Sequence, residues 1–498
     1  MGSSTIQNEL SDVAFSSKTA RRKRPPQGEK VYLIPASRNP VVVFSIAALL
    51  LVLPFSGEGA ASVGEYITGV VVGGVAISGI AFILRRLLGG YVSTLFLQAL
   101  LVRLLVLALF YMVAGAPMKF SQFHISVNTL PVWDDDVHYV GAAGYLEDRS
   151  VSLPDLIGER YQFEIKTKVA RIGIILRELK EIVGPSQVWE RVFHSLIGSV
   201  VVALFAYSLS GFFSPAATRL GLALCLLGPE FIQASVLLYK EVYVHLGTVL
   251  ILCAMSTVSR SRRIDTRMLV FSGLGLLVLA WCRSQAFVVA LPFLIVHVLV
   301  WRGRVSSSAA LFFCLSAIFG VLLLLLLGVG AMSSDIETVI AETSGFQGQA
   351  FGWASSLSGF ARLIHLPISF ANPPPFLLHL YLFPEPGNYQ WFRVVFRELR
   401  TLQWWIMLPW VLFGIYAFIF QRGRLGTFVL PYFCLWMVSA VAFTGTGPET
   451  VRYRDSFLPF AAFVAAGGYQ YATRAQRFYF VTGTFVLMLA LWAYMNLR

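Results

Sequence analysis

Charged residues are scarce in this chain: 13% of its 498 residues are charged, whereas 57% are hydrophobic and the mean hydropathy is +0.70. A chain of this length has room for about two or three soluble domains. The low fraction of charged residues argues against soluble domains, in which this fraction is about twice as high. We therefore predict an all-α polytopic membrane protein.

Cysteine is also rare, with five residues that all lie in or beside apolar runs and form no CxxC pair. They are Cys225, Cys253, Cys282, Cys314 and Cys434. We expect buried small side chains rather than disulfides or metal ligands. The histidines show no zinc-site spacing. The absence of a Gly-rich phosphate loop and of an internal repeat argues against a nucleotide-driven pump.

The net charge of +13 would by itself be compatible with nucleic-acid binding. The basic residues, however, concentrate in alternate short loops between apolar runs, as the positive-inside rule expects of cytoplasmic loops. The basic run 21–24 is typical of a cytoplasmic segment that faces anionic lipid. We therefore predict membrane lipids, and no nucleic acid, as partners.

Residues 1–40 are polar, Ser-rich and basic, which predicts a disordered cytoplasmic tail. Residues 41–498 are predicted to form one transmembrane domain of about 13 helices, in what we expect to be a bacterial inner membrane. The predicted spans are 41–57, 64–84, 91–113, 191–211, 217–237, 242–258, 268–283, 285–301, 306–331, 403–421, 425–444, 457–473 and 478–497.

Two long extracytoplasmic loops are predicted, at 114–188 and 332–402. In the first, apolar residues recur every three or four positions from 156 to 183, which predicts an amphipathic helix. This helix can lie on the membrane surface or cover the top of the protein itself. Either arrangement places it beside the acidic residues of the same loop.

Three consecutive carboxylates, Asp134, Asp135 and Asp136, lie about twenty residues beyond the span at 91–113. Adjacent acids repel one another, so full solvation, a cation or nearby Arg and Lys must compensate for their charge. A solvated turn that caps a helix is the alternative to a functional site. Because hard cations prefer carboxylate ligands, the sequence leaves open whether these three residues hold a divalent cation.

Three basic clusters are predicted on the same side of the membrane as these acids. They are Lys240-Glu241, Arg283, and Arg452-Tyr453-Arg454. Charges at membrane depth cost about 2.5–3.5 kcal/mol each and are retained mainly where they function or pair. Interfacial anchors or ordinary loop charges are the alternatives. Arg103 and Glu230 fall within predicted spans, and we expect them to form a buried structural ion pair.

Sugar transfer from a polyprenyl-phosphate or polyprenyl-pyrophosphate carrier needs such a combination of base and cations. A carboxylate would take the proton of the attacking acceptor hydroxyl. Lys and Arg would bind the phosphate and stabilise its developing charge, with Lys240 oriented by Glu241. His138 is expected to contact the acceptor or the sugar. A base and cations on opposite sides of the sugar imply inversion.

The sequence resembles the GT-C superfamily of membrane glycosyltransferases, and within it the branch of protein O-mannosyltransferases and the aminoarabinose transferase of lipid A. That branch carries an Asp-acid-x-x-aromatic signature in its first large external loop, which 135–139 (Asp-Asp-Val-His-Tyr) matches. The resemblance implies a catalytic base at Asp135, jaw-like external helices such as 156–183, and a glycan or lipid acceptor. The chain departs from the branch in placing two additional spans before this loop.

Three other functions stay open at this point, and one of them is a purely structural assembly subunit. An O-antigen ligase or polymerase also uses lipid-linked glycans, but relies on Arg and His in a late external loop rather than on an early Asp. A membrane transporter or lipid flippase is the third alternative. The lack of repeated halves and the scarcity of paired charges along the spans argue against it.

Overall fold

The computed structural model describes residues 63–114, 118–120, 125–127, 143, 167–183, 187–236, 238–310, 312, 390–434 and 456–497. Nearly all of these residues are helical, as predicted. The exception is a short ribbon in which β1 (Met118–Phe120) pairs antiparallel with β2 (Ile125–Val127).

The longer helices are numbered here in chain order. They are α1 (Val63–Leu88), α2 (Gly90–Ala114), α3 (Thr167–Val183), α4 (Gln187–Leu209), α5 (Pro215–Leu226), α6 (Pro229–Val236), α7 (Glu241–Ser261), α8 (Thr266–Cys282), α9 (Ser284–Trp301), α10 (Gln390–Tyr416), α11 (Leu458–Tyr471) and α12 (Arg474–Leu497). A π-helical turn (Ala417–Gln421) and a 3-10 helix (Gly423–Phe428) follow α10.

Five described helices, α1, α2, α4, α7 and α10, are long and apolar enough to cross a membrane. The pair α5 and α6 forms a further candidate span with a 45° bend, and α8 and α9 are shorter apolar helices. These helices follow the predicted apolar runs, which supports an integral membrane protein. The predicted total of about 13 spans includes segments outside the described residues, such as 41–57.

Helix α7 occupies the centre of the bundle and packs against α4, α8, α9 and α11. Almost every residue from 241 to 258 is buried, as expected of a helix that is apolar on all sides. It approaches α8 most closely at two glycines, where a Cβ added to Gly275 would lie 3.0 Å from the Gly247 carbonyl oxygen. Small residues permit such close helix packing in membranes.

Antiparallel packing sorts the turns of the bundle into two opposite ends. Because α7 runs away from Glu241 and α8 returns to Cys282, Glu241 and Arg283 lie at one end, which we call the Arg283 end. Helix α9 leads back to the opposite end, which we call the Arg302 end. This end carries Arg260, Arg302, Arg304, Arg422, Arg424, Arg474 and Arg477. Such charge asymmetry is typical of a cytoplasmic face.

The span predicted at 217–237 is broken between α5 and α6. Gln403 of α10 fills this break: its Oε1 accepts a hydrogen bond from the Glu230 N–H at 3.1 Å, and its Nε2 donates to the Leu224 carbonyl at 3.3 Å. One turn earlier, Arg400 pairs with the Glu230 carboxylate. The backbone groups at the break are thereby satisfied from a neighbouring helix, as membrane-buried backbone requires.

The predicted ion pair between Arg103 and Glu230 is wrong. Arg103 instead donates from Nε to Ser235 Oγ at 2.8 Å and from Nη1 to the Ala99 carbonyl at 3.3 Å, while Glu230 pairs with Arg400. The prediction placed both residues by depth along straight helices. Depth does not give the rotation of a helix about its axis, and the bend after α5 turns Glu230 toward α10.

Replacing Gln403 by Leu is expected to destabilise the protein, because it leaves the Glu230 N–H and the Leu224 carbonyl without this partner. An unsatisfied buried polar group costs about 1–3 kcal/mol. We expect a fall of several degrees in the thermal unfolding temperature measured in detergent. Gln421→Leu, at an exposed position, is the control and should unfold near the wild-type temperature. Equal unfolding temperatures for the two variants would contradict this role of Gln403.

Candidate functional site

Arg283 is the single residue between α8 and α9. Its backbone is extended, with φ −156° and ψ 91°, so one helix ends at it and the next begins after it. The Arg283 N–H donates to the Leu279 carbonyl at 2.7 Å, and its carbonyl accepts from the Ala286 N–H at 2.9 Å. Both helix ends therefore hold the backbone of Arg283, which fixes the point from which its side chain extends.

The Arg283 side chain joins three segments that are far apart in the sequence. It is buried, with 6% of its surface exposed, and Nη1 lies 3.9 Å from Glu241 Oε1 at the start of α7. Nη1 also donates a hydrogen bond to Ser456 Oγ, just before α11. The Ser456 carbonyl accepts from Thr248 Oγ1 at 3.3 Å. A desolvated guanidinium group needs such partners, because burying it unpaired would cost several kcal/mol.

This arrangement brings together two of the predicted polar clusters, Lys240-Glu241 and Arg283. Lys240 is half-buried in the turn before α7. Glu241 pairs with Arg283, and its expected role in orienting Lys240 stays a prediction. Burial and pairing also exclude the alternative in which Arg283 is only an interfacial anchor. Sequence reasoning missed Ser456. Its position directly after Asp455 is the one indication in the sequence that it belongs to the site.

The remaining predicted site residues lie outside the described residues. They are Asp134, Asp135, Asp136, His138, Arg452, Tyr453 and Arg454. Within the described ranges, no group of three or more His, Cys, Asp or Glu side chains could hold a metal ion. The three aspartates lie outside these ranges, so the structure does not test whether they hold a cation.

The helices that flank the segment with the three aspartates, α2 and α4, can be placed relative to the Arg283 end. Helix α2 is attached to α6 through Arg103 and Ser235, five residues before Lys240, and continues to Ala114. Helix α4 starts at Gln187, and its Ser195 Oγ donates to the Ser235 carbonyl at 3.3 Å. The segment between α2 and α4 therefore begins and ends at the end of the bundle that holds Arg283.

Helix α3, the described part of the amphipathic segment predicted at 156–183, packs on the protein itself. Ile172, Leu176 and Val183 are buried. Arg171 Nη1 donates to the Trp281 carbonyl at 3.0 Å, and its guanidinium lies 5.4 Å from the centroid of the Trp281 ring. Of the two arrangements predicted for this helix, the structure therefore selects the one that covers the protein. Arg171 holds the end of α8 two residues before Arg283.

A second polar group lies where α4 contacts α3 and α7, and sequence reasoning missed it. Lys180 of α3 lies 3.7 Å from the Oε1 of the buried Glu190. His194 Nδ1 is 3.0 Å from the Glu190 carbonyl, and its ring stands perpendicular to that of Tyr243 with centroids 5.2 Å apart. The ion pair between Lys180 and Glu190 attaches α3 to α4, and periodicity within each helix does not indicate it.

Two buried histidines, His194 and His297, differ in how their ring nitrogens are satisfied. His297 is fully satisfied, with Nδ1 2.6 Å from Thr427 Oγ1 and Nε2 3.0 Å from Ser259 Oγ. His194 uses Nδ1, but its buried Nε2 makes no hydrogen bond within the described part of the chain. Three of the four described cysteines behave as expected, because Cys225, Cys253 and Cys282 are buried thiols, whereas Cys434 is half-buried.

Comparisons with known proteins give no family for this chain. No family model, no curated protein and no solved structure matches it. The resemblance to GT-C glycosyltransferases therefore stays a prediction from the short motifs given above.

Proposed function

We propose that this protein is a membrane glycosyltransferase that moves a sugar from a polyprenyl-phosphate or polyprenyl-pyrophosphate carrier to a glycan or lipid acceptor. The observation that carries the proposal is the convergence of Lys240-Glu241, Arg283 and Ser456 at one end of the bundle. The loop with the three aspartates is attached to that same end. In this proposal an anion-binding group and a base lie on one side of the membrane.

The cationic half of the site is built around Arg283. Because Glu241 and Ser456 hold its guanidinium, the charge is oriented before substrate arrives, as stabilisation of a developing negative charge requires. Lys240 lies in the turn before α7. Arg454 stands two residues before Ser456 in the chain, and two residues span at most about 7 Å. Together these cations would bind the donor phosphate and stabilise it as it leaves.

The basic half of the site is Asp135, flanked by Asp134 and Asp136. As the acceptor oxygen bonds to the anomeric carbon, its proton passes to Asp135, and the bond from the anomeric carbon to the phosphate oxygen breaks. The phosphate retains the electron pair of that bond. His138 would contact the sugar or acceptor, and Tyr453 stands between the two late arginines. Attack opposite the leaving phosphate inverts the anomeric centre.

The basic Arg302 end supports a cytoplasmic location for that end and for the N-terminus, which makes the Arg283 end extracytoplasmic. On this side the donor must be supplied in the bilayer, which suits a lipid-linked sugar. We assign the protein to a bacterial inner membrane, with about 13 spans and with α3 as part of the jaw-like external helices that the resemblance implies.

Proteoliposomes that contain the full chain test this function. A panel of polyprenyl-phosphate sugars, labelled in the sugar, is supplied with lipid and glycan acceptors. We expect the label to appear in the acceptor while an equal amount of polyprenyl phosphate is released. Label that stays on the carrier but crosses the membrane would instead identify a flippase and contradict the proposal.

A further inference from the structure

Two turns at the Arg302 end share the tripeptide Arg-Gly-Arg. The first, Arg302-Gly303-Arg304, follows α9. The second, Arg422-Gly423-Arg424, begins directly after the π-helical turn and includes the first two residues of the 3-10 helix. All four arginines are exposed. We call this group of four side chains the double-arginine surface.

The two turns lie side by side. A Cβ added to Gly423 would be 3.8 Å from Ser307 Cβ and Oγ, so the second turn rests against the chain that follows the first. His297 of α9 is joined to Thr427 of the 3-10 helix at 2.6 Å. The separation of the two turns is therefore set by buried contacts rather than by the arginines, which would repel one another.

Aromatic rings support two of the guanidinium groups. Arg424 lies 5.9 Å from the centroid of the Trp301 ring, and Arg422 lies 5.0 Å from that of Tyr471. Stacking of this kind orients the guanidinium plane and leaves its N–H edge available to an acceptor. Among the described residues, none of the four arginines takes part in an ion pair. The positive charge of the surface is thus not neutralised within the described chain.

Exposed apolar side chains flank the surface. Leu299 precedes Arg302 by one helical turn and Phe420 precedes Arg422 by two residues, with 37% and 74% of their surfaces exposed. A free phosphate ion would gain nothing from such neighbours, whereas an amphiphile would contact both parts. Helix ends with aromatic rings beneath basic residues are typical of the level of lipid head groups.

From this combination we infer that the double-arginine surface binds an anionic phospholipid, whose phosphate is held by the guanidinium groups while its acyl chains lie along Leu299 and Phe420. Planar guanidinium groups bind phosphate through paired hydrogen bonds, which gives an arginine surface more selectivity than a diffuse positive field. The inference does not depend on the proposed enzymatic activity.

The test compares two variants of the full chain, each lacking four exposed arginines. In one, Arg302, Arg304, Arg422 and Arg424 are changed to Gln; in the control, Arg85, Arg86, Arg263 and Arg267 are changed to Gln. Binding of phosphatidylglycerol and of phosphatidylcholine is titrated in detergent by native mass spectrometry. Each basic residue near an anionic lipid surface contributes about 1 kcal/mol, so we expect at least tenfold weaker phosphatidylglycerol binding by the first variant.

The control should bind phosphatidylglycerol within about twofold of the wild type, and phosphatidylcholine binding should be unchanged in both. Equal losses in the two variants would overturn the inference in favour of non-specific charge. Competition by inorganic phosphate at matched concentration would overturn the inference in favour of a simple anion site. Unchanged lipid binding together with loss of an acidic protein partner would overturn it in favour of a protein-binding surface. R302Q/R304Q and R422Q/R424Q, each expected to weaken binding severalfold, serve if the fourfold variant does not fold.

Discussion

Replacement of Asp135 by Asn is expected to slow sugar transfer by about 10²–10⁴-fold, the usual effect of removing a positioned general base. The amide has nearly the same shape as the carboxylate but cannot accept the proton of the attacking hydroxyl. Donor binding should change little, because the cations proposed to hold the phosphate are retained. The initial rate of label transfer in proteoliposomes measures the effect.

Asp265→Asn is the matched control for this change. Asp265 lies at the start of α8, at the Arg302 end, where its Oδ1 accepts a hydrogen bond from the Met268 N–H at 2.8 Å. Asn caps a helix about as well as Asp, so this variant loses a carboxylate without losing the cap and should retain its rate. A near-normal rate for Asp135→Asn would point to the O-antigen ligase or polymerase type of enzyme.

Replacement of Arg283 by Met is expected to affect both stability and activity. Glu241 would keep a buried charge without its arginine partner, and breaking a buried pair in this way costs about 3–5 kcal/mol. Transfer should also fall, because the cation proposed to face the leaving phosphate would be gone. Thermal unfolding in detergent and the transfer rate are measured on the same preparation.

The double variant with Glu241→Gln and Arg283→Met separates these two effects. Removing both charges also removes the carboxylate that has lost its arginine partner, and neutral replacement of a buried pair is often tolerated. We expect the unfolding temperature to recover most of its loss while transfer stays reduced by about 10²-fold or more. Recovery of the rate together with stability would show that the pair is only structural, and the proposed phosphate site would then be wrong.

Most helix positions could be predicted because long apolar runs end at arginine or glycine. The runs at 91–113 and 242–258 correspond to Gly90–Ala114 and Glu241–Ser261. At the first boundary Gly89, with φ +105°, allows α1 to turn directly into α2. Such signals are local, so a single sequence contains them.

Features that depend on neighbouring helices could not be predicted. The mean hydropathy of 217–237 is that of a single apolar span, and only Gly228 and Pro229 indicate a break. Gln403, whose hydrogen bonds stabilise the break, lies far along the chain. The partner of Arg103 depends on the rotation of α2 and α6, which apolar content does not determine. The β1–β2 ribbon is too short to give a periodic signal.

The candidate site could also be predicted only in part, because its contacts depend on helix packing. Lys240, Glu241 and Arg283 could be assigned to one side of the membrane by counting spans, and two of these side chains are in contact. The identity of that pair, and the hydrogen bond from Arg283 to Ser456, depend on how the helices pack. Sequence periodicity could place apolar residues on one face of α3, but not Arg171 against the end of α8.

The two helices that meet at Arg283 are shorter than the membrane is thick. Helices α8 and α9 contain 17 and 18 residues, which at a rise of ~1.5 Å per residue makes them about 26 and 27 Å long. The hydrocarbon layer is about 30 Å thick. With Arg302 at the cytoplasmic surface, as proposed above, the two helices would leave Arg283 slightly below the opposite surface. A sugar dissolved in water would have to reach Arg283 from solution, whereas a lipid-linked sugar is brought to the membrane surface by its carrier.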